Sequence, residues 1–199
     1  MKRKLSISLL ALLLLVGGGY FLFQAIKIEV KAKIAQGLLQ YTWNKSLKEN
    51  KLYKPWASFD GSPILKLEIP HYNISQIVLE GTSGQALAFG PAFHKETYLP
   101  SLNNITAISS HRDSHGEYIQ NLKIGDILKL QDLDKKWHTY KIEEFLIVNV
   151  DEDININKIN RLLLITCYPF DAILSGTPLR YIVSAKKINL DLSQQSILD

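Results

Sequence analysis

One cysteine, Cys167, stands in a chain of 199 residues. It cannot form an intrachain disulfide, so its thiol is free. It ends the apolar run Leu162-Leu163-Leu164-Ile165-Thr166, which reads as a buried strand, and Tyr168-Pro169 follows. A proline there stops strand pairing. The thiol therefore lies at a strand end, where a side chain can reach a cleft. A free cysteine is also commonly a small buried hydrophobe, and position alone does not choose between the two. As a nucleophile it needs a partner that favours the thiolate, a histidine or an arginine.

There are five histidines. His71 and His94 lie among aromatic and apolar neighbours and read as structural. His138, in Lys135-Lys136-Trp137-His138, reads as an exposed hairpin. His111 differs: it follows the expected strand Ile105–Ser109 within Ser109-Ser110-His111-Arg112-Asp113-Ser114-His115. Polar clusters at the end of a core strand commonly form functional rims. His115 competes with it, one helical turn on. A metal site built on His111 and His115 lacks an evident third ligand. Arg180 is the third candidate. Alternation along Leu179–Ala185 puts Arg180, Ile182 and Ser184 on one face. A hairpin-like return would bring Arg180 beside the strand ending at Cys167, its guanidinium able to donate a fork of hydrogen bonds to an oxyanion or a substrate carbonyl.

Short strands position these residues. Apolar runs rich in Ile, Val, Tyr and Thr are expected as strands at Ile64–Ile69, Ile74–Leu79, Ile105–Ser109, Asp126–Leu130, Lys141–Val150, Leu162–Thr166 and Leu179–Lys186. Turn signals such as Asp60-Gly61-Ser62-Pro63, Gly90-Pro91 and Gly125-Asp126 separate them. Seven or more such strands predict a mostly β domain, a sandwich or closed barrel. Gln85–Phe89 and Tyr118–Leu122 are expected as short helices.

The N-terminus is of another kind. Leu5 to Ile26 carries no charge and as a helix spans about 33 Å, enough for a hydrocarbon core. The flank Met1-Lys2-Arg3-Lys4 orients the N-terminus to the cytoplasm. The apolar run exceeds the h-region of a signal peptide, although Gly17-Gly18-Gly19 breaks it and argues for cleavage or a helix–helix contact. The expectation is a cytoplasmic tip and transmembrane helix over 1–26, a basic stalk over 27–54 and the domain over 55–199. In the stalk Ile26, Val30, Ile34, Leu38 and Tyr41 recur at helical spacing; its lysines rest on anionic head groups or are simply solvated. The net charge of +4 divides into +3 at the tip, +5 in the stalk and −4 after Pro55. A nucleic-acid binder carries its basic excess on the folded domain, so none is expected as a partner.

The ordered set of motifs resembles the sortase family of membrane-anchored cysteine transpeptidases. Leu163-Leu164-Ile165-Thr166-Cys167 is similar to the family's T-L-x-T-C, with Leu163 in place of Thr. Ser110-His111-Arg112-Asp113 resembles its G-H-R-D, with Ser110 in place of Gly. Pro178-Leu179-Arg180-Tyr181 resembles the arginine segment, and Leu87-Ala88-Phe89-Gly90-Pro91 with His94, Leu122–Asp126 and Tyr168-Pro169-Phe170 add to the match. The similarity covers about Ile64 to Lys187 and is greatest to class D-like sortases, including the proteobacterial type.

The resemblance implies an eight-stranded sortase β-barrel with short helices, outside the cytoplasmic membrane. It implies Cys167 as nucleophile, His111 as general acid/base and Arg180 as the group that stabilises the oxyanion and positions substrate. The partners implied are a protein with an LPXTG-like sorting signal, an amine acceptor such as a cell-wall precursor, and the lipid bilayer through residues 5–26. No cofactor is expected. Some sortases bind calcium before the cysteine strand, and Asp151-Glu152-Asp153 falls there, but such a run is ordinarily a solvated turn. Two other functions remain open: a thiol peptidase that hydrolyses the acyl-enzyme, and a non-catalytic membrane-tethered β-domain. Papain-like peptidases order Cys before His, the reverse of His111 and Cys167.

Overall fold

The structure, a computed structural model, describes residues 2–151, 159–172 and 176–189. A single helix, α1, runs over Lys2–Glu49. By compactness the chain forms two units, residues 1–38 and 39–199.

In the first unit α1 is long and apolar enough to cross a membrane. Leu12 to Val16 and Tyr20 to Phe23 are exposed. The helix continues through Gly17, Gly18 and Gly19 without a break, and among the described residues nothing beyond the helix's own adjoining backbone lies within 4 Å of a Cβ placed at any of them. The triplet does not interrupt the helix.

The second unit takes in the last turns of α1. Leu39 and Trp43 are fully buried in a cluster with Phe59, Ile77, Leu79, Ala86 and Ala92. The expected boundary at Pro55 thus falls inside this unit. The expected stripe of Val30, Ile34, Leu38 and Tyr41 is exposed. Periodicity identified the helix but not its packed face, which the aromatic cradle around Trp43 selects: Trp56, Phe59 and Phe89 meet edge to face with centroids 4.6–5.9 Å apart. The helix ends at Asn50, which takes the left-handed conformation common just past a helix.

Eight strands close into a barrel: β1 (Pro63–Ile69), β2 (Ile74–Glu80), β3 (Ala92–Phe93), β4 (Ile105–Ser109), β5 (Ile127–Gln131), β6 (Trp137–Asn149), β7 (Arg161–Tyr168) and β8 (Leu179–Ile188). Their order around the barrel is β1-β2-β3-β4-β7-β8-β6-β5. β2/β3 and β4/β7 pair parallel, and the rest antiparallel. A short helix α2 (Gly84–Phe89) starts at Ser83, whose Oγ accepts from the Ala86 amide. The expected helix near Tyr118 is a 3-10 turn over Glu117–Asn121. β3 has only two residues, too few for a pattern in sequence.

Alternation separates two apolar layers. One face of the strands fills the barrel with Leu65, Leu67, Ile108, Leu128, Leu130, Leu162, Leu164 and Val183. The opposite faces of β4, β7 and β8 carry Ala107, Leu163 and Ile182, with Ile105, Ile165, Leu146 and Val148 packed against them. Strands apolar on both faces read as continuous hydrophobic runs, as Leu162–Ile165 does.

His138 corrects the expectation of an exposed hairpin. It shares the inward face of β6 with Tyr140 and is buried, its Nε2 2.7 Å from Asp132 Oδ2. Trp137 is the exposed neighbour. The β5–β6 hairpin does exist, but its pleat turns the imidazole inward.

Candidate active site

β7 and β8 pair so that Cys167 lies directly opposite Arg180. Residues opposed in an antiparallel pair project to the same face, with Cβ atoms about 4.5–5.5 Å apart. That face is the outer apolar layer, because Cys167 shares its side of β7 with Ile165 and Leu163, and Arg180 its side of β8 with Ile182. Cys167 and Arg180 are both half-buried. Arg180 Nη1 donates to the carbonyls of Thr177 (2.6 Å) and Leu179 (2.9 Å), which fixes the guanidinium at the strand entrance. Both bonds use one nitrogen, so among the described residues Nε and Nη2 remain as donors.

His111 arrives from the other side of β7. The parallel β4/β7 ladder ends at Ser109 opposite Ile165. The Ser110 amide then donates to the Ile165 carbonyl (3.0 Å), and Thr166 Oγ1 donates to the Ser110 carbonyl (2.9 Å). These bonds hold the residue before His111 against the residue before Cys167. The loop then turns tightly, with the Gly116 amide donating to the His111 carbonyl (2.8 Å). A Cβ at Gly116 would lie 2.8 Å from that carbonyl and would also strike the Ser110 side chain. Ser110, where the family motif has glycine, is buried and fits because residue 116 is glycine.

The two histidines of this loop separate clearly. His111 is exposed. His115 is half-buried, and burial lowers its pKa; a hydrogen bond to the Ala88 backbone opposes this and the neighbouring His111 adds to it. The His115 carbonyl accepts from Gln76 Nε2 (3.0 Å). His115 is thus tied down while His111 faces solvent beside the cysteine strand.

Arg112 lies within the motif Ser110-His111-Arg112-Asp113, and its type and position alone assign it no role. In the structure its Nη1 donates to the Pro169 carbonyl (2.8 Å) and its Nη2 to the Ala172 carbonyl. It binds the histidine loop to the segment leaving Cys167. His94, expected to be structural, lines a cavity of about 370 Å³ on the outer face with Tyr98, Ile105, Ala107, Leu163 and Ile165. Its Nε2 lies 2.6 Å from Ser109 Oγ. Hydrogen-bond pairing of this kind leaves no signature in sequence. Of the acidic run considered for calcium, Glu152 and Asp153 lie outside the described residues, and no metal-ligating cluster occurs among those described.

The closed barrel thus sets a lone thiol opposite a guanidinium, with a histidine at the end of the adjoining strand. The chain belongs to the sortase family: the Sortase domain model matches residues 67–188, more than half its length. It is 34% identical over 125 residues to sortase D of Bacillus subtilis (strain 168), a match spanning 61% of this chain and 62% of that protein. Among solved structures it resembles a sortase D5 transpeptidase of Clostridium perfringens, with a TM-score of 0.59 and 21% identity over 79% of this chain and 98% of that one. It also resembles sortase C of the same organism, solved with the C-terminal cell wall sorting motif, with a TM-score of 0.55 and 24% identity over 80% and 90% of the two chains.

Proposed function

We propose that this protein is a membrane-anchored cysteine transpeptidase that cleaves an LPXTG-like sorting signal between Thr and Gly and transfers the Thr carbonyl to an amine. The observation that carries this reading is the pairing of Cys167 with Arg180 across β7 and β8, with His111 delivered to the same strand end by β4. The Cys167 thiolate attacks the Thr carbonyl carbon. Arg180 donates hydrogen bonds to the oxyanion or to the adjoining peptide carbonyls. Protonated His111 gives its proton to the departing glycine amine, and the carbonyl is left as a thioester on Cys167. An incoming amine then attacks the thioester, His111 accepts its proton, and the thiolate is released.

The cavity lined by Ile105, Ala107, Leu163 and Ile165 lies along the strand that leads to Cys167 and suits an extended peptide with apolar side chains. The helix through residues 5–26 serves as a single membrane anchor, with the basic tip inside and the barrel outside. The amine acceptor is of the kind borne by a cell-wall precursor. Incubating the domain with an LPXTG-like peptide, with and without added triglycine, tests the reaction class. A transpeptidase yields the triglycine adduct in preference to the free acid; a peptidase yields free acid in both.

A further inference from the structure

Resting on that reading, we propose that His94 and Ser109 form a specificity-determining pair that reads one residue of the sorting signal, two or three positions before the scissile bond, and favours a hydrogen-bonding side chain there.

The placement follows from strand geometry. Ser109 lies opposite Ile165 on the neighbouring strand, and Ile165 is two residues before Cys167 on the same face. Two residues along a strand are about 6.7 Å and one strand across is about 4.8 Å, so Ser109 stands about 8 Å from the cysteine position. An extended peptide advances about 3.3 Å per residue, so this offset corresponds to two or three residues. His94 extends the pair toward the cavity, its amide donating to the Ala107 carbonyl (3.0 Å) and its ring lining the pocket wall.

The chemistry follows from counting protons. The ring of His94 and the hydroxyl of Ser109 hydrogen-bond to each other, and neither side chain has another partner among the described residues. Burial lowers the pKa of the imidazole, with the Glu96 carboxylate opposing it, and so favours the neutral ring. If Ser109 donates to Nε2, the Nδ1–H is unspent. If Nε2–H donates to Ser109, the hydroxyl proton is unspent. Either tautomer leaves one donor on the pair, whose imidazole lines the cavity with Ala107 and Ile165. A site with such a donor discriminates against a ligand that desolvates it without accepting its hydrogen bond. Thr and Val test this directly, being nearly isosteric and differing by the hydroxyl.

The experiment measures kcat/KM for Leu-Pro-X-Thr-Gly and Leu-X-Glu-Thr-Gly peptides with X as Thr or Val, using the wild-type domain, His94→Ala and Ser109→Ala. The inference expects a Thr-over-Val preference of about tenfold or more at one of the two positions in wild type, collapsing toward unity in both variants. Because the readout is a ratio within each enzyme, loss of folded protein does not imitate it. An equal ratio in all three enzymes, or rates falling in step for both peptides, overturns the inference and leaves the proposed reaction standing. A wild-type domain that forms no Cys167 adduct with any of the peptides overturns the reaction and this inference together.

Discussion

Cys167 and Arg180 face each other across the β7/β8 ladder, so the points from which their side chains start are set by backbone pairing. The Nη1 bonds to Thr177 and Leu179 restrain the rotation of the guanidinium. This arrangement makes the planar fork of arginine matter more than its charge.

Arg180→Lys is therefore expected to retain the fold and lose activity. Lysine keeps the charge but has one nitrogen, which cannot hold the strand-entrance carbonyls and also donate to an oxyanion in fixed geometry. Peptide turnover is expected to fall about 10²-fold or more, with an unchanged melting temperature within a few degrees. Near-normal turnover in the lysine variant would contradict the assignment.

Arg112 joins the loop of His111 to the segment after Cys167 through the carbonyls of Pro169 and Ala172. Arg112→Met removes both bonds while keeping much of the stem. The expected effect is a loss of about 1.5–3 kcal/mol in stability by urea denaturation, with a fall in kcat larger than any change in KM. A fully active, equally stable Met variant would show that the two loops hold their positions without it.

The N-terminal boundary is testable by truncation. Removing residues 1–38 leaves Leu39 and Trp43 in their cluster and is expected to give a folded domain with an unchanged urea midpoint. Removing residues 1–54 strips both side chains, each worth about 1.5–3 kcal/mol of burial. That form is expected to unfold at clearly lower urea. Equal midpoints for the two truncations would show that the last turns of α1 contribute nothing.

Acid sensitivity should trace to two histidines. Burial lowers the pKa of His94 and of His115 in the folded state. The unfolded chain then binds more protons below the ordinary value near 6.5, so stability is full above that pH and declines as pH falls through it. The decline ends below the folded-state pKa. Urea unfolding at pH 7.5 and 5.5 should show a smaller pH difference in His94→Gln and in His115→Gln than in wild type. An undiminished difference in both variants would place the acid sensitivity elsewhere.

Much of this site could be read before the fold was seen. The apolar runs at Ile105–Ser109, Leu162–Thr166 and Leu179–Lys186 marked β4, β7 and β8, because strands buried on both faces carry apolar residues at successive positions. The ends of those runs then marked His111 and Cys167. Arg180 stood out as a charge within such a run. What escaped reading depends on pairing across the barrel. His94 looked like a residue among apolar neighbours, and only the approach of β3 to β4 reveals its bond to Ser109. His138 was misplaced because a two-residue pleat, not the charged neighbours Lys135 and Lys136, decides which way a side chain points. The packed face of α1 was missed because Val30, Ile34 and Leu38 are as apolar as Leu39 and Trp43, and only the cradle distinguishes them.

The proposed reaction passes through a thioester on Cys167. Intact-protein mass spectrometry of the domain with an LPXTG-like peptide tests it most directly, because residue 167 is the only thiol in the chain. A mass increase equal to the peptide fragment ending in Thr is expected, released by hydroxylamine, absent in Cys167→Ala and His111→Ala, and retained in His115→Ala. Loss of the adduct in His115→Ala with retention in His111→Ala would reverse the choice of histidine. No adduct with such peptides, together with a Cys167 that resists alkylation in the folded domain, would contradict the catalytic account.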